Sequence, residues 1–244
     1  MSAERQLNAA ALFGKHQAFG DFVIAGTLPG EASGQIMDWL AQVLGGWRDG
    51  AGDGWQASFD NAPALRFWIG AQLSNGTALR GVLIPSRDRS GRRFPLAIAQ
   101  ATHGVAPVTD SDQGFHEHAE AALRDLAGAE RFDPREAASD LIAALPQPAD
   151  LPGAGGASFW ALNPNRSAQE LLAELQTTDI AHAQAARSYW WFAADERAAT
   201  PSGLLACAGW PGPAEIGWLL GRGNSTQAEI EAAVTSATAD EAKA

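Results

Sequence analysis

Between residues 64 and 100 the chain reads "ALRFWIG", "ALRGVLIPS" and "FPLAIAQ", three aromatic and β-branched runs separated by "SNG" and "RDRSGRR". Runs of this length and composition suit strands, and the intervening Asn, Gly, Ser and Asp suit reversals, so the stretch predicts a three-strand antiparallel meander. Pro85 has no N–H to give a ladder and ends regular pairing on its strand unless it lies at an edge. Gly91 supplies the turn between the second and third strands. The meander therefore sets Arg87, Arg89, Arg92 and Arg93 at a hairpin tip.

A meander needs layers to cover it, and the rest of the chain offers them. From Pro29 onward, Ile36, Met37, Leu40, Val43, Leu44 and Trp47 recur at spacings of three and four, which predicts an amphipathic helix with Pro29 in its first turn. Residues 112–128 and 134–145 read as helices, the second with Asp133 as cap and Pro134 at its first position. "SYWWFAA" and "GLLACAG" are unbroken apolar runs, expected as strands buried on both faces and belonging to the meander's sheet. "AALFGKHQAFGDFVIAG" reads as a strand, an exposed loop broken by Gly14 and Gly20, and a return into the core. The expected fold class is α/β, a layered α/β/α sandwich with a mixed sheet that includes the antiparallel meander. Residues 8–223 are expected to form a single domain with a possible internal linker at 146–158. "SAQELLAELQ" suggests a short helix, and 224–244 a flexible tail.

The charge balance narrows the partners. The formal net charge is -11, yet residues 1–107 hold nine Lys/Arg against eight Asp/Glu, whereas residues 108–244 hold eight against twenty. Such a surface repels nucleic acid and anionic membrane except at a local basic patch. The longest apolar runs fall far short of the roughly 20 residues of a membrane helix. Residues 1–12 lack a secretion signal, so the expectation is a cytoplasmic protein with no membrane insertion. Cys207, the single cysteine, has no intrachain partner and reads as a buried, inert filler.

Familiar catalytic motifs do not match. "GKHQAFGD" lacks the glycine and the Ser/Thr that a phosphate loop needs around its Gly-Lys, since Ala9 and His16 stand there. On a helix, His116 and His118 of "HEH" point about 200° apart, which makes them surface histidines rather than a metal pair. No nucleophile elbow, zinc-protease helix or dinucleotide fingerprint occurs. No catalytic residue, cofactor or metal is expected. Asp21 and Asp88 are the residues that would pair as catalytic carboxylates, but Asp21 equally suits bonding its own loop and Asp88 holding a neighbouring arginine. The arginines likewise admit two readings: a solvated tip paired with acids of the second half, or a recognition surface for carboxylate or phosphate.

Three stretches together resemble the TagF family of type VI secretion-associated proteins. "LFGKHQAFGDFV" is similar to its opening loop, Phe-Gly-Lys-Leu-Pro-x-x-Gly-Asp-Phe, with His16 and Gln17 in place of Leu-Pro. "GVLIPSRDRSGRRFPL" resembles its signature Gly-Val-x-x-Pro-Ser-x-Asp-x-x-Gly-Arg-x-Phe-Pro-Leu through Gly81, Val82, Pro85, Ser86, Asp88, Gly91, Arg92, Phe94, Pro95 and Leu96. "PALRFW" is similar to its Pro-x-x-Arg-Phe segment through Pro63, Arg66 and Phe67, and "SYWW" and "GWPGPAEIGWLLG" agree more loosely with later elements. The resemblance implies a single α/β domain acting as an accessory regulator. It would repress type VI secretion after translation, in a pathway with a threonine kinase, an opposing phosphatase and a forkhead-associated protein.

Some relatives are fused to the phosphatase, whereas this chain is expected to act through contacts with protein components of the secretion machinery or its regulatory pathway. Candidate partner-binding residues are Lys15, Asp21, Arg66, Ser86, Arg87, Asp88, Arg89, Arg92 and Arg93. The competing reading is a hydrolase of a small-molecule or phosphate-containing substrate, using Lys15, Asp21, Ser86 and Asp88 in a cleft between the 14–21 loop and the 85–93 turn.

Overall fold

A computed structural model describes residues 9–102, 106–108, 112–148, 185–194 and 202–221. Seven strands, β1 (Ala10–Gly14), β2 (Val23–Gly26), β3 (Leu65–Ile69), β4 (Ala78–Ile84), β5 (Leu96–Thr102), β6 (Arg187–Phe192) and β7 (Gly203–Ala208), form one sheet in the order β2-β1-β5-β4-β3-β6-β7. The expected meander is β3-β4-β5, in register from Leu65 opposite Leu83 to Ala78 opposite Thr102. Every ladder among the described residues is antiparallel, so the sheet they form is not mixed. Four of the six ladders join strands consecutive in the chain, whereas β1–β5 and β3–β6 pair strands distant in sequence.

Alternation along each strand divides the side chains between two cores. On one face Phe13, Phe67, Trp190 and Phe192 pack with Ile36, Leu40 and Leu44 of helix α1 (Ala32–Ala51), Phe59 of α2 (Trp55–Asp60) and Leu219 of α5 (Pro213–Gly221). On the other, Leu12, Val82 and Ile98 meet Phe115, Ala119 and Leu123 of α3 (Gly114–Ala127) and Leu141 of α4 (Pro134–Ala144). These layers give the expected α/β/α arrangement. Helix α1 buries Ile36, Leu40, Val43, Leu44 and Trp47 as its spacing predicted, while Met37 is only half-buried. Pro29, however, sits in a separate 3-10 turn (Pro29–Glu31), because positive φ at Gly30 and Glu31 interrupts the helix before Ala32.

Helix α4 starts as its sequence dictates. The Asp133 carboxylate accepts from the amides of Arg135 and Glu136, each at 2.9 Å, satisfying two donors that the first turn leaves unpaired. Asp133→Ala is expected to lower stability by about 1 kcal/mol, read as a lower urea midpoint with an unchanged slope. An unchanged midpoint would refute the capping role.

The second apolar run departs from expectation. β6 is largely buried, but among the described residues β7 is the end of the sheet and alternates, with Leu204 59% exposed. A run of Leu and Ala carries no mark that separates an edge strand from a central one. Cys207 is accordingly half-buried rather than buried, although burial, aided by Glu215, still pushes its thiol pKa up and disfavours the reactive thiolate. Residues 146–148 are irregular, whereas 149–158, the helix expected in "SAQELLAELQ" and the tail at 224–244 lie outside the described residues. Among the described residues no helix is long and apolar enough to cross a membrane.

Candidate functional site

Strand β1 delivers Lys15 beneath the arginine turn. Gly14 has φ +122°, and a Cβ there would lie 1.9 Å from the Pro95 carbonyl oxygen, so only glycine lets the chain pass; Lys15 N–H then donates to that same oxygen at 3.3 Å. The turn closes with a bridge between Arg87 and Arg93, with Asp88 N–H donating to Arg92 O, and with Gly91 at φ +85°. This geometry points the Asp88 carboxylate inward. Its Oδ1 accepts from Ser90 N (2.9 Å), Ser90 Oγ (2.7 Å) and Arg92 N (3.0 Å), and its Oδ2 accepts from Lys15 Nζ (2.9 Å) and Arg92 Nε (2.6 Å). Burial pushes the Asp88 carboxyl pKa up, but the bonds from Lys15, Ser90 and Arg92 outweigh it and hold the group well below the usual carboxylate range.

The loop and the turn are thereby one unit. Ser86 Oγ donates to Lys15 O at 2.7 Å, Arg92 Nη2 to Gly20 O at 2.9 Å, and Arg89 N to Phe19 O at 2.9 Å. The loop was expected to be exposed, yet Lys15 and His16 are buried. His16 stacks on Phe132, ring centroids 3.9 Å apart, while its Nε2–H donates to Leu126 O (2.8 Å) and its Nδ1 accepts from Ala18 N–H (3.1 Å). That pair of bonds requires the neutral ring with its proton on Nε2. Burial holds the His16 pKa below its ordinary value, against the pull of the Leu126 carbonyl. Gln17 Nε2 donates to Ala127 O at 2.9 Å. The two residues that replace Leu-Pro of the resembled motif thus satisfy the last carbonyls of α3.

The remaining candidates divide. Asp21 is exposed and accepts from Phe22 N–H at 2.8 Å, bonding its own loop and making no bond to Asp88. Arg66 is buried on β3, where Nε donates to Glu120 (2.9 Å) and Nη1 to Gln113 (3.3 Å); it ties the sheet to α3 and takes no part in the turn. Arg93 makes a bidentate pair with Asp60, at 2.8 and 2.6 Å. The acids that hold the tip, Asp60 and Asp88, both come from the near-neutral first half rather than from the acidic second half. Arg87 and Arg89 are exposed, and neither side chain has a bonding partner among the described residues.

A depression of about 280 Å³ beside the turn is lined by Gln17, Asp60, Pro85, Ser86, Arg87 and Ala127. Lys15, Asp21 and Asp88 do not line it, and the hydroxyl of Ser86 is already engaged. The histidines of "HEH" are not both on the surface: His118 is exposed, but His116 is buried against the sheet with Nε2–H donating to Phe67 O at 3.2 Å. Spacing on the helix foretold that they diverge but not which one the sheet would cover.

The TagF N-terminal domain, type VI secretion system-associated, matches residues 11–143, a span that includes the loop, Arg66 and the turn. Among solved structures, PA0076 from Pseudomonas aeruginosa PAO1 is similar with a TM-score of 0.66 and 27% sequence identity, over 88% of this chain and 93% of that one. No curated protein matches the sequence. With more than half of its length matched, the chain belongs to the TagF N-terminal domain family of type VI secretion system-associated proteins.

Proposed function

We propose that this protein regulates a type VI secretion system through protein–protein contacts. It represses secretion after translation by docking Arg87 and Arg89 on an acidic or phosphorylated segment of the forkhead-associated component or its kinase–phosphatase pathway. One observation carries this reading. Lys15, Ser86, Asp88 and Arg92 are consumed in holding the loop to the turn, so the groups an enzyme would need are committed to structure, while Arg87 and Arg89 face solvent. Arginine's planar, permanently charged fork suits carboxylate and phosphate oxygens.

The test reverses only the two unpaired arginines, since Arg92 and Arg93 brace the turn through Asp88 and Asp60. Arg87→Glu with Arg89→Glu is expected to leave melting nearly unchanged, within about 0.5 kcal/mol per surface substitution. Binding to the forkhead-associated component should weaken at least about tenfold, with a smaller difference at high salt, and the secretion block should be released in cells. Undiminished binding by the folded double variant would remove the docking reading.

A further inference from the structure

Among the described residues the sheet ends at β2, whose outer edge no strand pairs. Thr27 N–H donates to Ala10 O at 3.0 Å, which makes Leu12/Ala25 and Gly14/Val23 the next hydrogen-bonded pairs of the β1–β2 ladder. The main-chain groups of Ile24 and Gly26 therefore point away from β1, and no strand takes them among the described residues. Ile24 is 60% exposed and Phe22 39%, and side chains two apart in an extended segment share a face. Phe22 lies edge-on to Phe94, centroids 4.8 Å apart, so it is fixed rather than loose. The usual protections of an edge, a charged side chain or proline on the strand, are absent from Val23–Gly26.

The arginine turn stands at the start of this edge. Arg92 Nη2 donates to Gly20 O, Arg89 N–H to Phe19 O, and a Cβ on Gly20 would lie 3.1 Å from Arg89 Nη2. Guanidinium groups therefore lie against the residue three positions before β2. In a chain of net charge -11, this places concentrated positive charge at one end of an open, apolar strand edge.

We propose that β2 is where a partner protein adds an extended strand, with an acidic stretch against Arg89 continuing into β-branched residues that pair along Ile24. Main-chain bonds to Ile24 supply the docking, Phe22 and Ile24 the apolar contact, and Arg89 the selection for an acidic sequence. The inference rests on the contact reading above and gives that contact its geometry.

The probe is an acetylated, amidated heptapeptide of Asp-Glu-Asp followed by Val-Thr-Val-Thr, compared with the version carrying three lysines in place of the acids. The acidic peptide is expected to slow amide exchange at Ile24 by at least about tenfold and the lysine peptide to leave it unchanged. Ile24→Pro removes only an outward N–H, which an edge strand tolerates, and should keep the melting temperature while weakening peptide binding at least about tenfold; Ile24→Val should bind as the native chain does. If Ile24→Pro does not fold, amide protection in the native chain decides. Peptide binding without protection at Ile24, equal binding of the lysine peptide, or full binding by folded Ile24→Pro overturns the proposal, as does protection of Ile24 by raised protein concentration alone, which would make the added strand a second copy. Loss of the forkhead-associated component by the Arg87/Arg89 variant but not by Ile24→Pro overturns strand addition while leaving the contact reading intact; loss by neither overturns both.

Discussion

Asp88→Ala is expected to cost about 3–5 kcal/mol of folding stability, the largest loss for any single change in the loop-and-turn unit. The carboxylate accepts five hydrogen bonds, and its removal leaves the Lys15 ammonium, whose side chain is only 7% exposed, in a buried site without its acceptor. Lys15→Met should cost less, because Asp88 keeps Ser90 and Arg92 as donors and the methionine fills similar space. Arg92 contributes less again, since its side chain is 62% exposed and water screens the pair. Urea midpoints of the three variants test this order, and a Lys15→Met loss equal to that of Asp88→Ala would contradict it. Against a total of about 5–15 kcal/mol for a typical domain, the Asp88 variant should be visibly destabilised at neutral pH. The pH dependence has a definite sign. A carboxyl held below its unfolded pKa gives stability that is complete above about pH 4 and lost as the pH falls through the lower folded value.

The elements that could be read from sequence are those whose signals are local. The meander showed as three β-branched runs with turn residues between them, α1 as a three-and-four spacing, and the start of α4 as Asp133-Pro134. The Lys15–Asp88 pair joins residues 73 apart, and nothing in either neighbourhood names the other. Part of Asp88's role was visible nonetheless: it suited holding a neighbouring arginine, and Arg92, four residues on, is that arginine. His16 bonds to Leu126 across 110 residues, and Arg93 to Asp60 across 33. Because the sequence cannot show which acceptors lie nearby, both had the look of solvent-facing polar groups.

This division also explains how the resembled signature relates to recognition. Its specified positions, Pro85, Ser86, Asp88, Gly91, Arg92, Phe94 and Pro95, include the residues that make the inward bonds and the positive-φ turn. Arg87, Arg89 and Arg93 occupy positions the signature leaves open. Arg93 has found Asp60, and the other two face outward. The signature therefore encodes a rigid mount for the tip, while the residues proposed to choose the partner occupy its unspecified places. Reversing Arg87 and Arg89 separates recognition from folding because they lie outside that bonded frame.

Acidification is expected to weaken the fold well above the carboxylate range, by about 3 kcal/mol between pH 6.5 and pH 4, through His116. Its ring is buried on α3, 4.6 Å from Trp191 by centroid and against Phe115, with Nε2–H donating to Phe67 O and Nδ1 buried without a partner among the described residues. Burial lowers its pKa to about 4; the Phe67 carbonyl opposes that shift, and the positive charges of Arg66 and Arg80 reinforce it. Between the two pKa values the unfolded chain binds a proton that the folded chain refuses. The unfolded state therefore gains as the pH falls, and the stability contribution is complete above about pH 6.5 and fades toward pH 4. His16, also held below its ordinary value, acts in the same direction. Glutamine can keep the donation to Phe67 O without titrating in this range, so His116→Gln should cost about 1 kcal/mol at pH 7 yet flatten the profile below pH 6.5. Urea midpoints at half-unit steps from pH 7.5 to pH 4 make the comparison, and a variant whose profile runs parallel to that of the native chain would show that His116 is not the group being protonated.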